Sequence, residues 1–209
     1  MTAKRTLAVV SAGLSQPSST RLLADRLRDA TVAHLEQDGY DVETTSIELR
    51  DLARDITNKL LTGFPSPRLS EAIEAMTGAD GVIAVTPIFS SSYSGLFKSF
   101  FDVVEPTALT GVPIVLGATG GSARHSLALE YAVRPLFAYL RAVTVPTAVF
   151  AASEDWGTGD AQVGALPARI DRAAGELSAL VAASDRSGRL EDPFELDRPF
   201  SELLGGLGA

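Results

Sequence analysis

The sequence predicts an α/β fold, a three-layer α/β/α sandwich built on a five-stranded parallel sheet in the order 2-1-3-4-5. Three observations predict it. Short apolar runs alternate with longer stretches of helical spacing over most of the chain, and that alternation builds a parallel sheet with helices on both faces. Gly-x-Gly-x-x-Gly is absent, which turns the prediction away from the dinucleotide-binding strand order. Polar or glycine-rich loops follow the first, third and fourth strands, where an open α/β sheet of this order binds its ligand.

Thr6–Ser11 is a short apolar strand. From Thr20 to about Asp38, apolar residues at 22, 23, 27, 30, 32 and 35 keep helical spacing, with Gly39 as the stop. Asp41–Glu48 alternates as strand two. Residues 51–69 form a long, partly helical connection broken by Pro65 and Pro67, and Ser70–Gly78 is a short helix with Ser70 as its cap. Gly81–Thr86 is strand three and Gly95–Val104 the helix after it. Val112–Ala118 is strand four, and Ala123–Ala142 is a helix broken or kinked near Pro135. Thr144–Ala151 is strand five and Leu166–Ala183 the last helix. Residues 1–184 are expected to form this domain. Residues 185–209, polar but carrying Leu190, Phe194, Leu196, Phe200, Leu203 and Leu204, read as an extension that docks on the domain or on a neighbouring subunit, the alternative being a loose terminus.

Composition excludes several classes of function. At 209 residues with a formal net charge of −8 and no clustered cations, the chain lacks the electrostatic footprint of a nucleic-acid binder. No apolar stretch approaches the roughly 18 residues of a membrane span, and the N-terminal run is too short for a secretion signal. A cytoplasmic location is therefore expected. There is no cysteine, which removes disulfides, thiol nucleophiles and Cys-based metal sites. The two histidines, His34 and His125, are far apart, so no metal site is expected. Gly-x-Ser-x-Gly and the Walker loop are also absent. Chemistry in such a chain falls to a bound organic cofactor.

The loop after strand one, 11–20, carries hydroxyls at Ser11, Ser15, Ser18, Ser19 and Thr20 and runs into a helix. Free N–H groups and the dipole at a helix start suit a phosphate, although a Ser-rich loop also serves as an ordinary cap. The absence of lysine favours a static phosphomonoester over a transferable triphosphate. After strand three, residues 86–95 hold Pro87, small polar residues, Phe89 and Tyr93. Both aromatics are candidates for contact with a planar ligand, and equally for the core or a subunit contact. After strand four comes Thr119-Gly120-Gly121, bare backbone that a flat ligand can approach. By itself it is no more than a turn.

Three motifs in register carry a family resemblance. They are the Ser-rich loop 11–20, Thr-Pro-x-Phe-x-x-x-Tyr-Ser-Gly-x-x-Lys at 86–98 and Ala-Thr-Gly-Gly-x-x-x-His at 118–125. Leu129-Glu-Tyr-Ala-Val-Arg-Pro-Leu136 matches as well. On these residues the chain resembles the NADPH-dependent FMN reductases of the flavodoxin-like superfamily, particularly the alkanesulfonate-monooxygenase type of flavin reductase. The likeness spans about residues 5–183. Where many relatives have an arginine in the first loop, this chain has Leu14-Ser15.

The resemblance implies hydride transfer from NADPH or NADH to FMN, with reduced FMN passed to a partner monooxygenase, and a homodimer or homotetramer. It implies Ser11, Gln16, Ser18, Ser19 and Thr20 as phosphate contacts. Pro87, Ile88, Phe89 and Ser90 are implied along the flavin ring and ribityl chain, and Thr119, Gly120 and Gly121 on the pyrimidine side. No acid or base is needed, since positioning nicotinamide over flavin supplies the rate. His125 is a candidate on the nicotinamide side or simply a helix-surface residue, and Trp156 is a ring cover, a subunit anchor or a buried plug. Two other readings stand beside this one: a quinone or azo reductase that retains its flavin, and a non-catalytic flavodoxin-like electron carrier.

Overall fold

The computed structural model describes residues 3–156 and 165–184. The extension 185–209 lies outside the described residues. Parallel strands β1 (Lys4–Ser11), β2 (Asp41–Glu48), β3 (Gly81–Phe89) and β5 (Pro113–Gly120) lie in the order β2-β1-β3-β5. In register, Ser11 stands opposite Glu48 on one side and Val85 on the other, and Pro87 stands opposite Thr119. The C-terminal ends of β1, β3 and β5 therefore open on the same edge of the sheet.

Each central strand is apolar on both faces because helices cover both. On β3, Val82 and Ala84 point into one core and Ile83 and Val85 into the other. The second core packs under α1 (Ser19–Gln37) and α6 (Leu166–Ala183), with Leu23, Leu27, Leu35, Leu166 and Leu177 buried. The first core packs under α2 (Ala53–Thr62), α3 (Pro67–Gly78), α4 (Gly95–Asp102) and α5 (Arg134–Tyr139). Its centre is aromatic: Phe101 lies 4.8 Å from Phe97 and 4.9 Å from Phe137 between ring centroids. A parallel sheet buried on both faces reads as continuous hydrophobic runs, which is why those strands stand out in the sequence.

The sheet has seven strands, not five. β4 (Ser92–Tyr93) folds back antiparallel on the end of β3. The expected fifth strand is two pieces, β6 (Val143–Thr144) and β7 (Val149–Ala152), on the same edge of β5. Pro146 divides them because it has no N–H to continue the ladder. The next N–H, of Thr147, leaves the sheet and donates to the Glu176 carboxylate at 2.7 Å. Five lateral positions survive, and with them the flavodoxin-like order.

Two helices also differ from expectation. The short helix begins at Pro67 rather than Ser70, because Ser66 is the cap and accepts from the Leu69 N–H at 3.2 Å. The stretch 123–142 is a 3-10 turn (Ala123–His125), a π-helical turn (Leu129–Val133) and then α5. Pro135 lacks the N–H that would bond one turn back, and the Arg134 N–H reaches Leu129 instead, the i−5 bond of a π turn.

Candidate functional site

A cavity of about 450 Å³ opens at the C-terminal ends of β1, β3 and β5. The first loop contributes Leu14, Ser15, Ser19 and Thr20, and the second contributes Pro87, Ile88 and Phe89. The third contributes Thr119, Gly120 and Gly121, and the turn after β7 adds Ser153 and Trp156. Three loops far apart in sequence thus meet in one wall, as their positions after strands one, three and four require.

The first loop is held by its own side chains. Ser18 caps α1, accepting from the Arg21 N–H at 3.2 Å. A Cβ on Gly13 would sit 2.1 Å from Ser18 Oγ, so only glycine lets the loop close onto its cap. The N–H groups of Ser19 and Thr20, in the first turn of α1, have no acceptor within the helix. Ser11 is fully buried and its Oγ has no partner among the described residues. Gln16 is exposed and does not line the cavity. Ser11 and Ser18 lie behind the wall rather than in it.

The second loop is set by Thr86 and Ser94. Thr86 Oγ1 donates to the Pro87 carbonyl at 2.9 Å and accepts from the Ser94 N–H at 3.1 Å, while Ser94 Oγ caps α4. Ser90 and Ser91 form the tip of the β3–β4 hairpin with φ of 48° and 66°, the left-handed pair that a two-residue hairpin turn demands. Ser90 therefore does not line the cavity. Phe89 stands beside it, half-exposed at the rim, and Tyr93 packs against the first core.

The two glycines of the third loop differ. A Cβ on Gly120 would lie 2.9 Å from Phe150 Cζ, so packing beneath the loop excludes a side chain there. A Cβ on Gly121 would meet nothing within 4 Å. Its φ is not positive, so neither packing nor backbone conformation of the protein itself explains a bare residue at that place.

Ser153 was not visible as a site residue, because a strand end followed by Ser-Glu-Asp-Trp carries no motif. Its 3-10 turn (Ser153–Trp156) is latched by Asp155, which accepts from the Ala152 N–H at 2.8 Å and from Arg169 of α6 at 2.5 Å. The latch presents Trp156 to the cavity, and the Arg26 guanidinium lies over its ring at 5.1 Å. His125 is exposed in the turn after Gly121 and does not line the cavity. His34 lies on α1 and bonds to Asp171 of α6 at 2.9 Å. Arg21, near the first loop, is held by Asp25 at 2.9 Å and Glu48 at 2.7 Å. Its partial burial opposes the charge, but these carboxylates outweigh it and raise its pKa further.

Among the described residues no group of His, Asp and Glu is arranged to hold a metal, and no helix is long and apolar enough to cross a membrane. Two other concavities, of about 340 and 650 Å³, lie outside this loop cluster.

Residues 5–157 match the family model described as NADPH-dependent FMN reductase. The chain is 34% identical over 165 residues to the NADH-dependent FMN reductase SfnE of Pseudomonas putida, covering 79% of this chain and 86% of that protein. It is 33% identical over 174 residues to the FMN reductase (NADPH) of Pseudomonas aeruginosa, covering 83% and 91%. An oxidoreductase structure from Corynebacterium diphtheriae superposes with a TM-score of 0.84 at 47% identity, over 88% of this chain and all of that one.

Proposed function

The chain belongs to the NADPH-dependent FMN reductase family, and from that membership we propose that it reduces FMN with NAD(P)H and releases the product to a partner flavin-dependent monooxygenase. It is a flavin oxidoreductase, with FMN and a reduced nicotinamide dinucleotide as its reactants. The open space at Gly121 supports FMN at this cavity most directly, since a bare residue there is explained by a flat ligand lying close to the main chain. The free N–H groups opening α1, at Ser19 and Thr20 of the cavity wall, suit its phosphate end.

Bound here, FMN would supply the redox chemistry as the acceptor of the nicotinamide's hydride. The chain binds and orients. Ser19 and Thr20 hold the phosphate, with Ser18 supporting them as the cap of α1, and Pro87, Ile88 and Phe89 flank the ring. Thr119 and Gly121 offer backbone to the pyrimidine edge. N–H groups there stabilise negative charge that develops on the ring. Trp156 and Leu14 border the remaining side. Leu14 and Phe89 are 48% and 50% exposed, so the rim is open enough for flavin to leave. The exposed Leu127, Tyr131 and Tyr139 support self-association into a homo-oligomer.

Oxidation of NADPH and NADH is to be followed with FMN, FAD and riboflavin as acceptors. Turnover of added FMN is expected, with riboflavin poorer. A flavin that stays bound and no turnover of added FMN would sink the release reading. Product formation by a two-component monooxygenase given only this protein, FMN and NAD(P)H tests the delivery step.

A further inference from the structure

The first loop contains no cation, and the arginine that follows it is already neutralised. Residues 11–20 hold neither lysine nor arginine. Arg21 has its Nε on Asp25 and its Nη1 on Glu48. Asp25 is shared with Arg28, which also pairs with Asp29. Two arginines thus face three carboxylates in this cluster, and the Nε and Nη1 of Arg21 both end on acids rather than on the loop. A dianion held only by N–H groups and the roughly half charge of a helix start would sit in a chain of net charge −8.

Arg50 reaches the same loop from the neighbouring strand. It lies in the 3-10 turn Leu49–Leu52 directly after β2, where Glu48 pairs in register with Ser11. Its Nη1 donates to the Leu14 carbonyl at 3.3 Å. Leu14 and Ser15 line the cavity, and Arg50 stands next to them on the β2 side, outside the lining itself. Arg50 Nε also forms a loose ion pair with the exposed Asp51 at 3.7 Å, too long for a hydrogen bond, and the Arg50 side chain is 33% exposed. A guanidinium carries five N–H donors, and the one hydrogen bond shown for this fork goes to Leu14.

We propose that Arg50 supplies the positive charge the first loop lacks, its guanidinium binding the phosphate of FMN from the β2 side while its bond to Leu14 holds the loop in place. The assignment rests on the reading of this cavity as the FMN site. It makes the cation of the phosphate site a residue of the second strand end, about thirty positions from the loop it serves. Planar, permanently charged arginine suits this role because its fork matches phosphate oxygens in pairs.

The test is equilibrium binding of FMN and of riboflavin to the flavin-free full chain, followed by flavin fluorescence, for the wild type, Arg50→Gln and Arg50→Lys. Glutamine keeps an N–H for the Leu14 carbonyl and removes the charge. Loss of a charge-assisted bond predicts FMN affinity about ten- to a hundred-fold lower in Arg50→Gln, with riboflavin unchanged. Arg50→Lys should fall between, and the salt dependence of FMN binding should flatten in Arg50→Gln. The KM ratio of NADPH to NADH should not move. The proposal is overturned if Arg50→Gln binds FMN as wild type does, or if FMN and riboflavin weaken together, which would make Arg50 a loop tether only. It is also overturned if the NADPH/NADH ratio shifts while the FMN/riboflavin ratio stays, which would assign Arg50 to the dinucleotide. Equal binding of FMN and riboflavin by the wild type would instead remove the phosphate site itself, before any substitution is made.

Discussion

Thr20 Oγ1 and Thr119 Oγ1 lie 2.7 Å apart in a buried hydroxyl–hydroxyl hydrogen bond that joins the start of α1 to the end of β5. The two residues are 3% and 4% exposed, and both line the cavity. The bond ties the first loop to the third, so the two ends of the candidate flavin site are held in one register.

Breaking that pair from one side should cost more than removing it. Thr20→Val or Thr119→Val leaves a buried hydroxyl alone, a loss of about 1–3 kcal/mol. The double valine variant should be more stable than the sum of the two losses implies. Urea unfolding of all four proteins as a double-mutant cycle checks it, and additive losses would show that the two hydroxyls act independently.

Gly120 and Gly121 should respond in opposite ways to alanine. Gly120→Ala drives a Cβ to 2.9 Å from Phe150 and should lower stability by about 1–3 kcal/mol through overpacking. Gly121→Ala meets no protein atom within 4 Å and should leave thermal unfolding near the wild-type value while weakening FMN binding. Normal FMN affinity in Gly121→Ala would return that residue to being a turn.

Trp156 is the one tryptophan of the chain and borders the cavity. Its emission should therefore be quenched as FMN is added, and Trp156→Phe should abolish the signal. Asp155→Ala removes the acceptor of the Ala152 N–H and the partner of Arg169. The turn should loosen, shifting Trp156 emission to the red and weakening FMN binding. An unchanged spectrum would show that the latch does not position the indole.

Glu130 gives a pH prediction. Its hydrogen bonds with Arg134 lower its pKa below the usual carboxylate value, against a smaller opposing effect of burial. A depressed carboxylate pKa stabilises the fold above the unfolded value of 4.5 and loses that contribution as pH falls through the folded value. The Glu130 side chain is 48% exposed, so screening limits the effect to roughly a few tenths of a kcal/mol. Glu130→Gln should be slightly less stable than wild type near neutral pH, and the gap should close in acid. A gap that persists below the pH at which Glu130 protonates would tie the loss to packing instead.

Much of the fold was legible because its signals are local. Asp41–Glu48 and Leu166–Ala183 have the bounds their patterns predict. Gly39, with φ of 86°, ends α1 where a left-handed residue is needed. The cavity loops were legible for a related reason, since a parallel sheet places its strand ends together whatever lies between them. Ser19, Thr20, Pro87, Ile88, Phe89, Thr119, Gly120 and Gly121 all line one cavity.

Other features depend on partners distant in sequence. The split of the last strand turns on Pro146 and on Glu176, 29 residues beyond Thr147. Gly120 is bare because Phe150 lies beneath it, and Gly121 is bare against open space, although the two are adjacent and identical in the chain. Ser153 enters the site through a latch to α6, and Arg50 meets Leu14 across 36 residues. Periodicity and turn chemistry record what each segment does with its immediate neighbours, and they determined the layers and the edge of the sheet that carries the site. Which side chain fills, latches or charges that edge was decided by packing between segments, because those contacts exist only once the sheet has brought them together.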